Sequence, residues 1–271
     1  MTATCPATRM TMITSTIATA TIMTTDAALY RLMTWLSPAY PLGAYSYSHG
    51  IEYAVEAGLI GDRGTLQDWI AHAVRFGAGL TDAALLAAAW RAAQSDDRSL
   101  FRSSPPQWGG EGVERSAPFD GDLDEVCELA AAWRGSAETA LEGRGQGAAF
   151  LAATRAAWPH PALDELALRW RGEAMLPVAV GVAASVHGVA LAPTLTAYLH
   201  GFAANLVSAG LRLVPLGQTD GQRAIAALAK DVAATVHAAL ATPLDEIGTA
   251  APMVDWCSMR HETQYTRLFR S

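Results

Sequence analysis

The sequence predicts an all-α fold, a single-domain bundle of about eight to ten helices. Apolar residues recur at helical spacing along most of the chain, and start and stop signals fall where those stripes begin and end. Period-two alternation, the mark of half-buried strands, is nearly absent.

Residues 1–25 are rich in Thr, Ala and Met, carry one charge at Arg9 and hold no apolar run of signal-peptide type. They are expected to be a disordered leader or the product of a start codon assigned upstream of Met10, Met12 or Met23. The domain proper is expected over 26–271, beginning with a stripe of Leu29, Leu32, Met33 and Leu36. The connector that follows turns on Pro38, Pro41 and Gly43 and holds three tyrosines, Tyr40, Tyr45 and Tyr47. The next stripe is Leu66, Trp69, Ile70 and Ala73, with Thr65 and Asp68 at a capping-box-like spacing and Gly58 as the C-cap of the helix before it.

From Asp96 to Asp122 the helical texture breaks at three prolines and four glycines, which predicts a flexible insertion loop over 96–122. Gly143, Gly145 and Gly147 read as a turn, because nothing strand-like precedes them and the spacing is wrong for a dinucleotide fingerprint. Leu163, Leu166, Ala167 and Trp170 form a further helix, with Pro161 in its first turn. Ala174 to Leu211 contains no charged side chain, yet Pro177, His187, Pro193, His200 and Asn205 interrupt it. Buried bundle helices, including a stripe of Leu195, Leu199, Phe202 and Leu206, fit that composition better than a membrane span. Gly210, Pro215 and Gly217 are expected to end the central helix, and Thr219 with Gln222 to cap the next, whose stripe is Ile225, Leu228, Ala229, Val232 and Val236.

The chain of 271 residues is 51% hydrophobic, ample for a large core, and its net charge is −7 with a pI near 5.5. That balance opposes phosphate binding, so nucleic acid is not an expected partner. Three scattered cysteines, Cys5, Cys127 and Cys257, without C-x-x-C spacing, fit a reducing, cytoplasmic setting.

Catalytic signatures fail one by one. Among nineteen basic residues Lys230 alone is lysine, and it lies in a helical stripe outside any G-x-x-x-x-G-K-[ST] loop, so the chain cannot cradle a nucleotide triphosphate in the P-loop manner. Ser46-Tyr47-Ser48-His49-Gly50 has the outline of a nucleophile elbow but lacks its first glycine and a feeding strand; serine hydrolysis stays the enzyme alternative. His49 with Glu52, and Cys257 with His261, have the spacing of helix-face metal ligands, though neither pair makes a closed site.

Three strings remain. Leu36-Ser37-Pro38-Ala39-Tyr40-Pro41-Leu42-Gly43-Ala44-Tyr45-Ser46-Tyr47-Ser48-His49-Gly50-Ile51-Glu52 links two helices; Arg212-Leu213-Val214-Pro215-Leu216-Gly217-Gln218-Thr219-Asp220-Gly221-Gln222 turns into a third. The chain ends on Ser258-Met259-Arg260-His261-Glu262-Thr263-Gln264-Tyr265-Thr266-Arg267-Leu268-Phe269-Arg270-Ser271. Termini usually fray, but this one keeps Arg, Tyr and Phe, the residue types that anchor interfaces; 255–271 is therefore read as a docking tail that adds little to the core.

Together these strings resemble the UreF family of urease accessory proteins, over roughly Leu29 to Trp90 and Leu123 to Ser271. The resemblance implies an all-helical homodimer without catalysis of its own. It would bind a UreD-type (UreH-type) accessory protein, a UreG-type GTPase and apo-urease, and couple GTP hydrolysis to nickel delivery. It also implies that GTP is bound by the GTPase and nickel is handled by the complex, with no cofactor held stably here. A direct nickel carrier is the rival reading. Partner contacts would come from Tyr45, Tyr47, His49 and Glu52 in the first string, Gln218 and Asp220 in the second, and Arg260, His261, Glu262, Gln264, Tyr265, Arg267, Leu268 and Phe269 in the third.

Overall fold

The computed structural model describes residues 25–94 and 122–270, so the leader and nearly all of the insertion loop lie outside the described residues. These comprise eleven α-helices, two 3-10 turns and no strand, as the periodicity requires. The helices are α1 (Asp26–Trp35), α2 (Ile51–Glu56), α3 (Arg63–Phe76), α4 (Ala78–Ala92), α5 (Leu123–Ala132), α6 (Ala137–Ala157), α7 (Pro161–Arg169), α8 (Leu176–Val186), α9 (Leu191–Leu213), α10 (Gln218–Ala241) and α11 (Pro252–His261).

At the centre is α8, buried at every residue from Leu176 to Ser185, which explains why its sequence shows no polar face. Helices α4 and α6 pack against it, and the α9–α10 hairpin closes over α3 and α4. The uncharged run is therefore core. One described helix, α10, is long and apolar enough to cross a membrane. It buries Leu228, Val232 and Val236 in the bundle while Arg223 and Lys230 face outward.

Several local expectations change. The glycines at 143, 145 and 147 make no turn; they lie within α6, where small size lets two elements meet. A Cβ at Gly147 would sit 1.9 Å from the Ala174 carbonyl oxygen, and one at Gly181 of α8 would sit 2.5 Å from that of Leu86. Gly210 likewise is no C-cap: it is inside α9, against the Leu66 side chain. Asp62, not Thr65, caps α3, with Thr65 reciprocating from the third position, and Gly217 precedes α10 with Thr219 already helical. In α1 the buried face is Ala28, Leu32 and Trp35, so Leu29 and Met33 point to solvent. The aromatic ring set around Trp35 decides this, with Phe150 and Trp158 both edge-on to its indole at about 6 Å.

Replacing glycine by alanine inside a helix ordinarily stabilises by about 1 kcal/mol. At Gly147 the added methyl meets backbone that cannot rotate away, so the overpacking cost of ~1–3 kcal/mol should prevail. Gly147→Ala is expected to lower the melting temperature by several degrees; a calorimetric melt at or above wild type would refute the close α6–α8 seam.

Candidate functional site

The first connector ends in two residues of left-handed backbone, His49 at φ 55° and Gly50 at φ 77°, before α2 begins. Only glycine suits position 50. Its conformation is left-handed, and a Cβ there would lie 2.7 Å from the Ser258 nitrogen. The bare backbone of Gly50 is where α11 lands.

That landing places His261, 0% exposed, between two acidic side chains from distant helices. Its Nε2 lies 3.0 Å from Glu52 Oε2 on α2, and its Nδ1 lies 2.8 Å from Glu138 Oε2 at the start of α6. A carboxylate only accepts, so the arrangement is satisfied when the ring carries both protons or one carboxyl carries the second. The carboxylates also gather the residues beyond α11. Glu52 accepts from the backbone N–H of Leu268 at 2.6 Å and of Phe269 at 2.9 Å, and Glu138 Oε1 accepts from Arg267 Nη1 at 2.9 Å. Two carboxylates, one imidazole and the end of the Arg267 side chain thus share one cluster.

Further bonds hold the segment on both sides. Ser136 and Ser258 join hydroxyl to hydroxyl at 2.7 Å. Glu262 accepts from the Ala137 N–H at 2.9 Å, placing a carboxylate at the positive end of α6. On the connector side Gln264 donates to Glu56, and the Arg270 N–H donates to the Ser46 carbonyl at 2.7 Å. Arg212 of α9 donates to the Tyr45 carbonyl at 2.8 Å while its guanidinium covers the Phe269 ring at 4.3 Å.

Beside this cluster lies a second. His49 Nδ1 is 3.0 Å from Glu142 Oε2, its ring meets Phe202 edge-on, and it walls a cavity of about 240 Å³ with Glu142, Arg134, Asp82 and Tyr198. Arg134 Nη2 is 2.9 Å from Asp82 Oδ1, and the Tyr198 hydroxyl donates to Asp82 Oδ2 at 2.9 Å. Burial alone would depress the His49 pKa, but the Glu142 carboxylate outweighs it and holds the imidazole above its ordinary value. Burial, reinforced by Asp82, pushes the Tyr198 phenol well up.

The residues singled out in the sequence fall into three groups. Tyr45, Tyr265 and Leu268 are outside, 71%, 103% and 63% exposed, with Arg267 half-exposed beside them. Tyr47, His49, Glu52, His261 and Phe269 are buried and engage their own chain. The tail is therefore partly core, contrary to the expectation that it adds little, because its imidazole and last aromatic ring are enclosed. Arg260 donates to the Tyr53 hydroxyl, and Glu262 and Gln264 bind as above. Gln218 and Asp220 stand apart at the start of α10, where Asp220 meets Arg223 at 3.2 Å and Arg63 at 3.9 Å.

Neither metal-type pair comes together. His49 precedes α2 and turns to Glu142, whereas Glu52 turns to His261; the buried Cys257 thiol, raised to about 11 by burial, has a neighbour whose two nitrogens are already engaged. Among the described residues no cluster of three or more His, Cys, Asp or Glu is placed to hold a metal ion. Glu138 and Glu142 escaped the sequence reading. Glu138 lies in the first turn of α6, which Ser136 caps, and nothing in the sequence around it sets it apart from other acidic residues.

A family model described as UreF matches residues 60–229. The chain belongs to the UreF family. It is 51% identical to the urease accessory protein UreF of Granulibacter bethesdensis over 251 residues, 93% of this chain and 97% of that one. The UreF proteins of Bradyrhizobium diazoefficiens and Rhodopseudomonas palustris (strain BisB18) are 47% and 48% identical over 245 residues, each match covering 90% of this chain and 92% of the relative. As a UreF-family member the protein serves urease maturation as an accessory factor and is not itself an enzyme.

Two outcomes follow from the geometry. His261→Ala would leave Glu52 and Glu138 facing each other without the intervening imidazole, and breaking a buried charge network costs ~3–5 kcal/mol. Denaturant unfolding should register a loss of that size, and a loss under 1 kcal/mol would mean the network does not hold the tail. For His49, a folded pKa above the unfolded one means its stabilising contribution is full below about pH 6.5 and fades as pH rises through the folded value. The stability gap between wild type and His49→Gln should shrink on going from acid to alkaline pH; a gap that widens would reverse the assignment.

Proposed function

We propose that this protein is the scaffold of a nickel-insertion complex, acting in the cytoplasm as a homodimer that joins a UreD/UreH-type protein and a UreG-type GTPase to apo-urease. In this reading GTP is hydrolysed by the GTPase, nickel is cargo passed within the complex, and the scaffold couples the two by holding its partners in register.

One observation supports the reading best. Tyr45, Tyr265, Leu268 and Arg267 stand exposed together over a base whose every layer is bonded, from Glu52 and Glu138 up to Arg212 stacked on Phe269. Exposed Tyr and Arg on an ordered base have the composition of an interface hot spot, since little entropy is lost when a partner covers them. The absence of a P-loop from the sequence agrees with nucleotide chemistry residing in a partner.

The test separates surface from core. Tyr265→Ala combined with Leu268→Ala removes exposed side chains only, so the melting temperature should hold within about 1–2 °C. Co-purification of the UreG-type GTPase with the scaffold and its UreD-type partner should fall about tenfold or more. Undiminished capture would remove the tail from the interface.

A further inference from the structure

We infer that Glu138 is a positioning residue that sets the guanidinium of Arg267 for a carboxylate on the partner; this rests on the tail being the docking surface proposed above. The Arg267 side chain is 42% exposed, yet it is held at one corner, with Nη1 2.9 Å from Glu138 Oε1. No other hydrogen bond within the chain reaches this guanidinium among the described residues. Its Nε–Nη2 edge, the side that makes paired bonds to a carboxylate, is thereby left for a ligand outside the chain.

Glu138 itself is fixed. Its side chain is 8% exposed and its other oxygen is bound by His261 Nδ1 at 2.8 Å. It also stands in the first turn of α6, between Ser136, which is bonded to Ser258, and the backbone that Glu262 caps. A long, flexible arginine is thus referenced to the most firmly bonded part of the site. Without that reference the guanidinium would have to be ordered when the partner binds, which weakens association. The neighbours of Arg267 define the partner's chemistry: an acidic side chain for the free edge, bordered by apolar surface for Leu268 and Tyr265.

A double-mutant cycle tests this. The complex of full-length scaffold with the UreD-type protein is titrated with GTP-loaded UreG-type GTPase, for wild type, Glu138→Gln, Arg267→Ala and the double variant. Arg267→Ala should weaken binding about tenfold or more, and Glu138→Gln about tenfold in the wild-type background. In the Arg267→Ala background Glu138→Gln should change affinity less than about twofold, since there is no guanidinium left to position. An equal loss in both backgrounds would mean that Glu138 acts through the fold, and the inference falls. Loss from Arg267→Ala with none from Glu138→Gln also overturns it, while leaving the docking reading intact. No loss from Arg267→Ala would sink the docking reading of this residue and the inference with it. Should Glu138→Gln not fold, Glu138→Asp keeps the charge but draws it back by one methylene, and the same cycle applies.

Discussion

Everything at the C-terminal face depends on one buried imidazole held between two carboxylates. His261 separates Glu52 from Glu138, and without it two acidic side chains with about 8% exposure each would face one another. The same carboxylates then organise the rest: Glu52 takes the backbone of Leu268 and Phe269, and Glu138 takes Arg267. Buried ion pairs add little net stability, because desolvation consumes most of the attraction. Their effect here is on geometry. A shifted register of the tail would break the bonds that Glu52 and Glu138 make to it.

The bundle supplies the frame that makes this register reachable. The seams at Gly147 and Gly181 bring α6 and α4 onto α8 closely, which sets where the first turn of α6 emerges. Gly50 does the same for α11, admitting the Ser258 backbone where any side chain would block it. Small residues and a charge cluster thus divide the work, the former fixing how near the elements come and the latter fixing which groups meet.

The second polar cluster is separate in its bonding but adjacent in space. His49 joins the connector to α6 through Glu142, as Glu52 joins α2 to the tail through His261. The same short string therefore sends one side chain to the cavity and one to the tail. A protein without chemistry of its own can still need such precision, because preordered surface loses less entropy on binding.

How much was legible beforehand varies with the range of the physics. Helical periodicity, Pro161 in a first turn, Gly58 past a helix end and the break at Pro215 and Gly217 depend on neighbours within a turn or two, so the sequence alone determined them. The exposed Tyr45, Tyr265, Leu268 and Arg267 were also visible there, as residue types out of place in a connector and a chain end. Which face of α1 is buried, why α6 holds three glycines and what His261 does were not. Each depends on atoms from segments far apart in the chain: His261 is 123 residues from Glu138 and 209 from Glu52. Tertiary structure alone decided that these three meet, because the bonds join side chains that no local pattern in the chain relates.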